Sequence, residues 1–194
     1  NIEDRRRMGG GKGAGIGGVG LLVVVVVAYF AGIDVSPLLQ GVQQQQDTPR
    51  TLSADDQRAA EFSARVLATT EDVWGQVFPA QLGRAYTPPV LVLFSGVTQS
   101  PCGGASGATG PFYCPADRKA YLDTEFFSTL SRQLGARGDF AAAYVIAHEV
   151  AHHVQNELGI LPEVNRMRQA LGLVQANALT VRLELQADCL SGVW

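Results

Sequence analysis

All three histidines of the 194-residue chain fall within six positions, His148-Glu149-Val150-Ala151-His152-His153. On a helix, residues four apart share one face, so His148 and His152 can present ring nitrogens to a single ion. Glu149 then stands beside that ion rather than on it, where it can take a proton from a bound water. Zinc uses such pairs with a third protein ligand and, in catalytic sites, keeps one position for water. His153 is turned about 100° from His152 and is assigned no metal role. Ala141, Ala142, Val145, Ile146, Ala147 and Val150 surround the motif, so the helix carrying it is largely buried. Two histidines and a glutamate buried there need a partner, and a metal supplies one.

No histidine follows His153, so the candidates for the third ligand are sought among the downstream carboxylates. The metzincin extension is excluded by Gln155 and Leu158, which stand where glycine and histidine would be needed. The downstream acids are Glu157, Glu163, Glu184 and Asp188. Glu157 lies about 140° round the same helix from His152 and points away. Glu184 and Asp188 sit in the apolar run Val181–Cys189 and share a helical face at i, i+4. One of them can bind the metal while the other holds a histidine's second nitrogen.

H-E-x-x-H followed by E-x-x-x-D resembles the gluzincin pattern of thermolysin-like peptidases. That resemblance implies His148, His152 and Glu184 as ligands of one zinc ion, Glu149 as the base, and Asp188 as the residue orienting a histidine, His148. The chain is more closely similar to a bacterial family of neutral zinc metallopeptidases. This second resemblance runs from Asn1-Ile2-Glu3-Asp4-Arg5-Arg6 through three later blocks: Gly110–Asp117, Ala143–Val150 and Glu184–Cys189. One departure is Ala151, where such motifs often carry glycine; alanine is still small. The resemblance implies a zincin-like fold and a peptide or protein substrate.

These residues must be positioned by the elements around them. Ser53, with Asp56 three residues on, caps a helix expected over 53–78, which carries Phe62, Val66, Trp74 and Val77 at helical spacing. Val90–Phe94 is a short apolar run bounded by Pro89 and Gly96, hence a buried strand. A loop rich in Gly, Ser and Thr is expected over 95–110, then strands at Pro111–Cys114 and Lys119–Asp123. Helices follow around Thr124–Leu134, over Asp139–Leu158 with Asp139 as cap and Gly159 and Pro162 as stop, and from Glu163 onward with a break near Gly172. The class is α+β.

Composition adds an apolar feature ahead of this domain. Gly13–Ile33 carries no charge for 21 residues, and about 20 apolar residues cross a hydrocarbon core of about 30 Å. Basic residues Arg5, Arg6, Arg7 and Lys12 precede it, and none follows until Arg50. The expected organisation is a cytoplasmic segment 1–12, a transmembrane helix 13–33, a polar linker 34–52 and a domain 53–194. The protein would be a single-pass protein of the cytoplasmic membrane, with its domain periplasmic or extracellular. Gly13, Gly15 and Gly18 match G-x-G-x-x-G by spacing alone and lack the preceding strand that a dinucleotide site needs. Outside the cytoplasm, Cys102 and Cys114 most simply form a disulfide, leaving Cys189 as a buried free thiol. With 15 basic against 18 acidic residues there is no footprint for nucleic acid. With no initiator methionine and an end inside a run expected to be helical, the chain is expected to be a piece of a longer one.

The function expected is hydrolysis of peptide bonds, with Glu149 accepting the water's proton and passing it to the leaving amine. Tyr144 is the one candidate near the motif for an oxyanion donor. The alternative is a zinc-stabilised envelope protein that binds a partner without turnover. The sequence leaves the oligomeric state open.

Overall fold

The computed structural model describes residues 1–7, 51–106, 110–126 and 139–194. Its elements in chain order are β1 (Ile2–Asp4), α1 (Ala54–Leu82), β2 (Val90–Phe94), β3 (Val97–Ser100), β4 (Gly103–Ser106), β5 (Phe112–Cys114), β6 (Lys119–Asp123), α2 (Asp139–Glu157), α3 (Ile160–Gln169) and α4 (Leu173–Ser191). The class is α+β, as expected. The main sheet runs β1-β2-β6-β5; β1, β2 and β6 are parallel, and β5 is antiparallel to β6 at one edge.

β2 is apolar at every position because both of its faces are covered. Leu91 and Leu93 join Leu122 of β6 against Trp74 and Phe78 of α1 and Ile146 and Val150 of α2. Val92 and Phe94 point the other way, onto Tyr121 and Cys114. This alternation is the period-2 signature of a strand. It fixes α2, and with it the histidines, against the sheet.

The capping box at Ser53 and Asp56 is present, with the Ser53 hydroxyl accepting from the Asp56 N–H. α1 continues beyond residue 78 through Pro79, which removes one helical N–H near the last turn, and ends at Gly83 with φ 64°. Gly159, at φ 76°, turns the chain from α2 into α3. Pro162 lies in the first turn of α3 rather than stopping α2, a place where its missing N–H costs nothing. The 95–110 segment is not simply a loop: β3 and β4 form a hairpin within it. Its glycines and polar side chains hide the alternation that marks a strand. The helix expected at 124–134 falls mostly outside the described residues.

The N-terminal expectation needs correction. Ile2, Glu3 and Asp4 pair in parallel register with Leu91, Val92 and Leu93. Main-chain bonds run from Arg5 N to Leu93 O (2.8 Å) and from Leu91 N to Asn1 O (2.9 Å). Arg6 is buried, ion-paired to Asp4 at 2.6 Å and bonded to the Asp56 carbonyl. Residues 1–7 therefore belong to the same folded body as the domain. A strand cannot pair across a hydrocarbon layer, so these residues are not on the far side of a membrane from β2. Arginines that read as a topology signal are instead ion-paired to Glu3 and Asp4. The proposed span 13–33 and the linker, apart from residues 51–52, lie outside the described residues. Among the described residues, no helix is long and apolar enough to cross a membrane.

Cys102 and Cys114 form a disulfide, which ties the turn of the β3–β4 hairpin to the end of β5. Cys189 is free but exposed, not buried as expected. The buried face of α4 is set by Leu183, Ala187 and Ser191, and Cys189 lies about 200° round from Ala187. Replacing both bridged cysteines with serine is expected to lower stability by about 3 kcal/mol through the lost loop constraint. Urea unfolding of the oxidised protein and the double variant measures this.

Candidate metal centre

α2 and α4 pack against each other, and Ala147 and Ala151 of α2 and Leu183 and Ala187 of α4 are all buried. Glu184 and Asp188 follow the two buried α4 residues directly in sequence. Their carboxylates therefore emerge at the edge of the seam, beside the histidine face of α2. Glu184 Oε2 lies 3.2 Å from His148 Nε2 and 3.4 Å from His152 Nε2. The three atoms all lie within 4.8 Å of one another.

The opposite nitrogen of each ring is occupied. His148 Nδ1 lies 2.9 Å from Asp188 Oδ1. His152 Nδ1 lies 2.9 Å from Gln155 Oε1. A carboxylate and a carbonyl oxygen only accept, so each Nδ1 donates, and in a neutral ring the nitrogen left without a proton is Nε2, the one turned toward Glu184. With both rings neutral, two lone pairs and a carboxylate oxygen face each other there, an arrangement that a cation resolves. Tetrahedral zinc with bonds of about 2.0–2.1 Å has ligand-to-ligand edges of about 3.3 Å. The two edges to Glu184 agree with that, the three atoms lie within 4.8 Å of one another, and the N, N, O donor set is one zinc takes. The site fits zinc.

The supports of the two rings differ. Asp188 also accepts from the Tyr144 hydroxyl at 2.6 Å. This bond first, and then the nearby His148, hold its carboxyl below the ordinary aspartate range. Tyr144 is thus committed to Asp188 and is not the oxyanion donor considered for it. Gln155 is wholly buried and gives its amide N–H groups to Leu183 O (2.8 Å) and Gln186 Oε1 (3.0 Å). It clamps His152 to the main chain of α4. Sequence reasoning passed over this residue; the available signal was an uncharged polar side chain in an otherwise apolar helix, three positions after a histidine.

Such outer partners are worth about 10–100-fold in metal affinity. Tyr144→Phe, which deletes one hydroxyl, is expected to weaken zinc by about 10-fold, at the low end of that range. Gln155→Ala, which also strands buried groups, should approach about 100-fold. Competition against a zinc-binding dye compares them.

Glu149 is 8% exposed and takes a hydrogen bond from the Tyr113 main-chain N–H. Burial first, then the charge of Glu184, pushes its carboxyl up to about 8. His153 stays off the metal cluster: it is fully buried, donates from Nε2 to Thr87 O at 2.7 Å, and accepts at Nδ1 from Tyr113 Oη at 3.0 Å. Tyr113 therefore ties edge strand β5 to α2 at both ends, through its N–H to Glu149 and its hydroxyl to His153. Glu157 is directed away from the site, onto Arg118.

His148, Glu149, His152 and Glu184 all line one cavity of 470 Å³, walled by β5, α3 and α4. Its apolar wall includes Phe112, Leu161 and Leu183.

Across residues 1–194 the chain matches one family, described as "Putative neutral zinc metallopeptidase". It is 47% identical over 205 residues to uncharacterized protein YpfJ of Escherichia coli strain K12, covering 100% of this chain and 71% of that protein. It is also 47% identical over 134 residues to uncharacterized protein Rv2575 of Mycobacterium tuberculosis strain H37Rv, covering 67% of this chain and 42% of that protein. No solved structure matches it.

Proposed function

Because the chain belongs to the neutral zinc metallopeptidase family, we propose that it is a zinc-dependent peptidase with His148, His152 and Glu184 as ligands of one ion and Glu149 as general base. The observation that carries the reading is the convergence of two bare imidazole nitrogens and a carboxylate oxygen beside a buried glutamate, all on one cavity. Zinc held there supplies Lewis acidity, which brings the pKa of a coordinated water toward about 7 and polarises a carbonyl.

The chain's own groups do the rest. Glu149, adjoining the ligands but not among them, accepts the proton of the attacking water and returns it to the leaving amine. The Tyr113 N–H holds its carboxylate in place. Asp188 and Gln155 keep both rings in the tautomer that leaves Nε2 free. The reading includes a zincin-like architecture: a mixed sheet with an antiparallel edge strand beside the helix bearing the motif.

The test is cleavage of a quenched peptide library by the purified chain, before and after zinc removal by a chelator. Cleavage that disappears with the metal and returns with one equivalent of zinc supports the reading. A protein that holds one zinc and cleaves nothing is instead a zinc-stabilised binding module.

The same proposal holds the domain outside the cytoplasm and near a membrane. The disulfide supports the compartment, and the uncharged segment 13–33 supports the membrane. Because β1 lies beside β2, both flanks of that segment belong on the domain's side. Impermeant thiol labelling of intact cells checks this, using the exposed Cys189 to report the domain and Asn1→Cys in a Cys189→Ser background to report the N-terminus. Both should label without permeabilisation; an N-terminus labelled only after permeabilisation contradicts the shared side.

A further inference from the structure

The cavity that holds the metal cluster has one feature the proposed chemistry does not use. Arg168, on α3, lines it, and among the described residues it is the only lysine or arginine to do so. It makes no ion pair there; its neighbour Arg166 takes Glu163 instead. Its one hydrogen bond runs from Nη1 to Asn165 Oδ1, at 3.4 Å, from the preceding turn of the same helix. Its Nε is buried and has no hydrogen-bond partner among the described residues.

Buried donors are nearly always paired, so a guanidinium beside a cavity with one weak hydrogen bond and an unpaired Nε has donor capacity left to spend. A guanidinium presents its N–H groups as a planar fork that matches a carboxylate in two parallel bonds. The surroundings favour such a partner. The acids on the wall, Glu149 and Glu184, stand at the metal site, and the rest of the lining mixes apolar side chains such as Phe112 and Leu161 with Asn165 and Thr180. Among the described residues, a carboxylate entering this cavity finds its one guanidinium or ammonium partner in Arg168.

We propose that Arg168 is a specificity residue that binds a carboxylate of the substrate, so that the cavity takes peptides bearing an anionic group close to the bond cleaved. The inference rests on the peptidase reading for the identity of the ligand as a peptide. Two sources share the chemistry: a free C-terminus, and an aspartate or glutamate side chain.

The experiment compares three matched peptides on the zinc-loaded chain: one with a free C-terminus and no acidic side chain, one amidated with a single glutamate, and one amidated and neutral. Arg168→Gln is expected to raise KM by about 10–100-fold for whichever carboxylate peptide is the substrate, with kcat little changed. The neutral peptide should change less than about twofold, and Arg168→Lys should restore part of the loss. The peptide that responds identifies the source. Equal loss of kcat on all three would make Arg168 a general determinant of the reaction or the fold and overturn the proposal, as would no change on any.

A binding arm separates this inference from the peptidase reading. Fluorescence anisotropy measures the same peptides on Glu149→Gln protein with and without Arg168→Gln. Carboxylate-dependent binding that requires Arg168 supports the proposal even if the wild-type chain cleaves nothing, in which case only the peptidase reading fails. Binding indifferent to the carboxylate, or no binding, overturns it whatever the cleavage result.

Discussion

Replacing Glu149 with glutamine is expected to lower kcat for peptide cleavage by about 10²–10⁴-fold, the usual worth of a positioned general base. Zinc stoichiometry should not change. The substitution is nearly isosteric, and the glutamine carbonyl can still accept the Tyr113 N–H that holds the present carboxylate. What disappears is the group that takes the proton. Burial and Glu184 raise the carboxyl of Glu149 to about 8, and the positive charge of a bound zinc acts in the opposite direction. Measuring kcat and zinc content on the same preparation checks the prediction. Full activity in Glu149→Gln would remove Glu149 from the mechanism.

Glu184→Ala should be nearly as damaging, and earlier in the sequence of events. Zinc binding in structural sites is worth about 10–16 kcal/mol, so an equal share for each of three protein ligands makes the loss of one cost about 300- to 8,000-fold in affinity. Glu184 Oε2 is the atom that faces both imidazole nitrogens, at 3.2 and 3.4 Å. The side chain is 47% exposed, so its removal opens no hole in the core and the fold should persist. Asp188→Ala, acting through His148, should cost only about 10–100-fold. The ranking is the informative part. Equal losses for the two variants, or unchanged affinity in Glu184→Ala, would mean that the ligand set is wrong. Competition titration with a chelating dye resolves the difference.

The parts of this site that could be read from the chain are those set by local geometry. His148, Glu149 and His152 follow from helical spacing alone, and so does the pairing of Glu184 with Asp188 on one face. Which acid faces the rings depends on how α4 docks on α2, and spacing left that open until the resemblance assigned it. Gln155 was missed for the same reason: its partners, Leu183 O and Gln186, are on a different helix.

The sheet shows the limit more sharply. β2, β5 and β6 announce themselves through apolar runs and turn residues. β1 is Ile-Glu-Asp, short and charged, and its partner lies far along the chain at Leu91–Leu93. Only tertiary pairing makes it a strand, and it overrides the reading of its arginines as a membrane-orientation signal. Cys189 fails similarly, because an apolar helical run does not say which of its faces the neighbouring helix will cover. Arg168 carries no sequence signal either. It stands out only when the cavity wall is assembled and its Nε is left without an acceptor.

The account rests on a zinc ion held by two imidazoles and one carboxylate, and zinc K-edge X-ray absorption of the purified chain tests that directly. The expected result is a single zinc environment of nitrogen and oxygen ligands at about 2.0–2.1 Å, with the imidazole signature of two histidines and no sulfur. That signature should be lost in His148→Ala and His152→Ala. A sulfur shell at about 2.3 Å, or a spectrum unchanged by either histidine substitution, would contradict the centre described here.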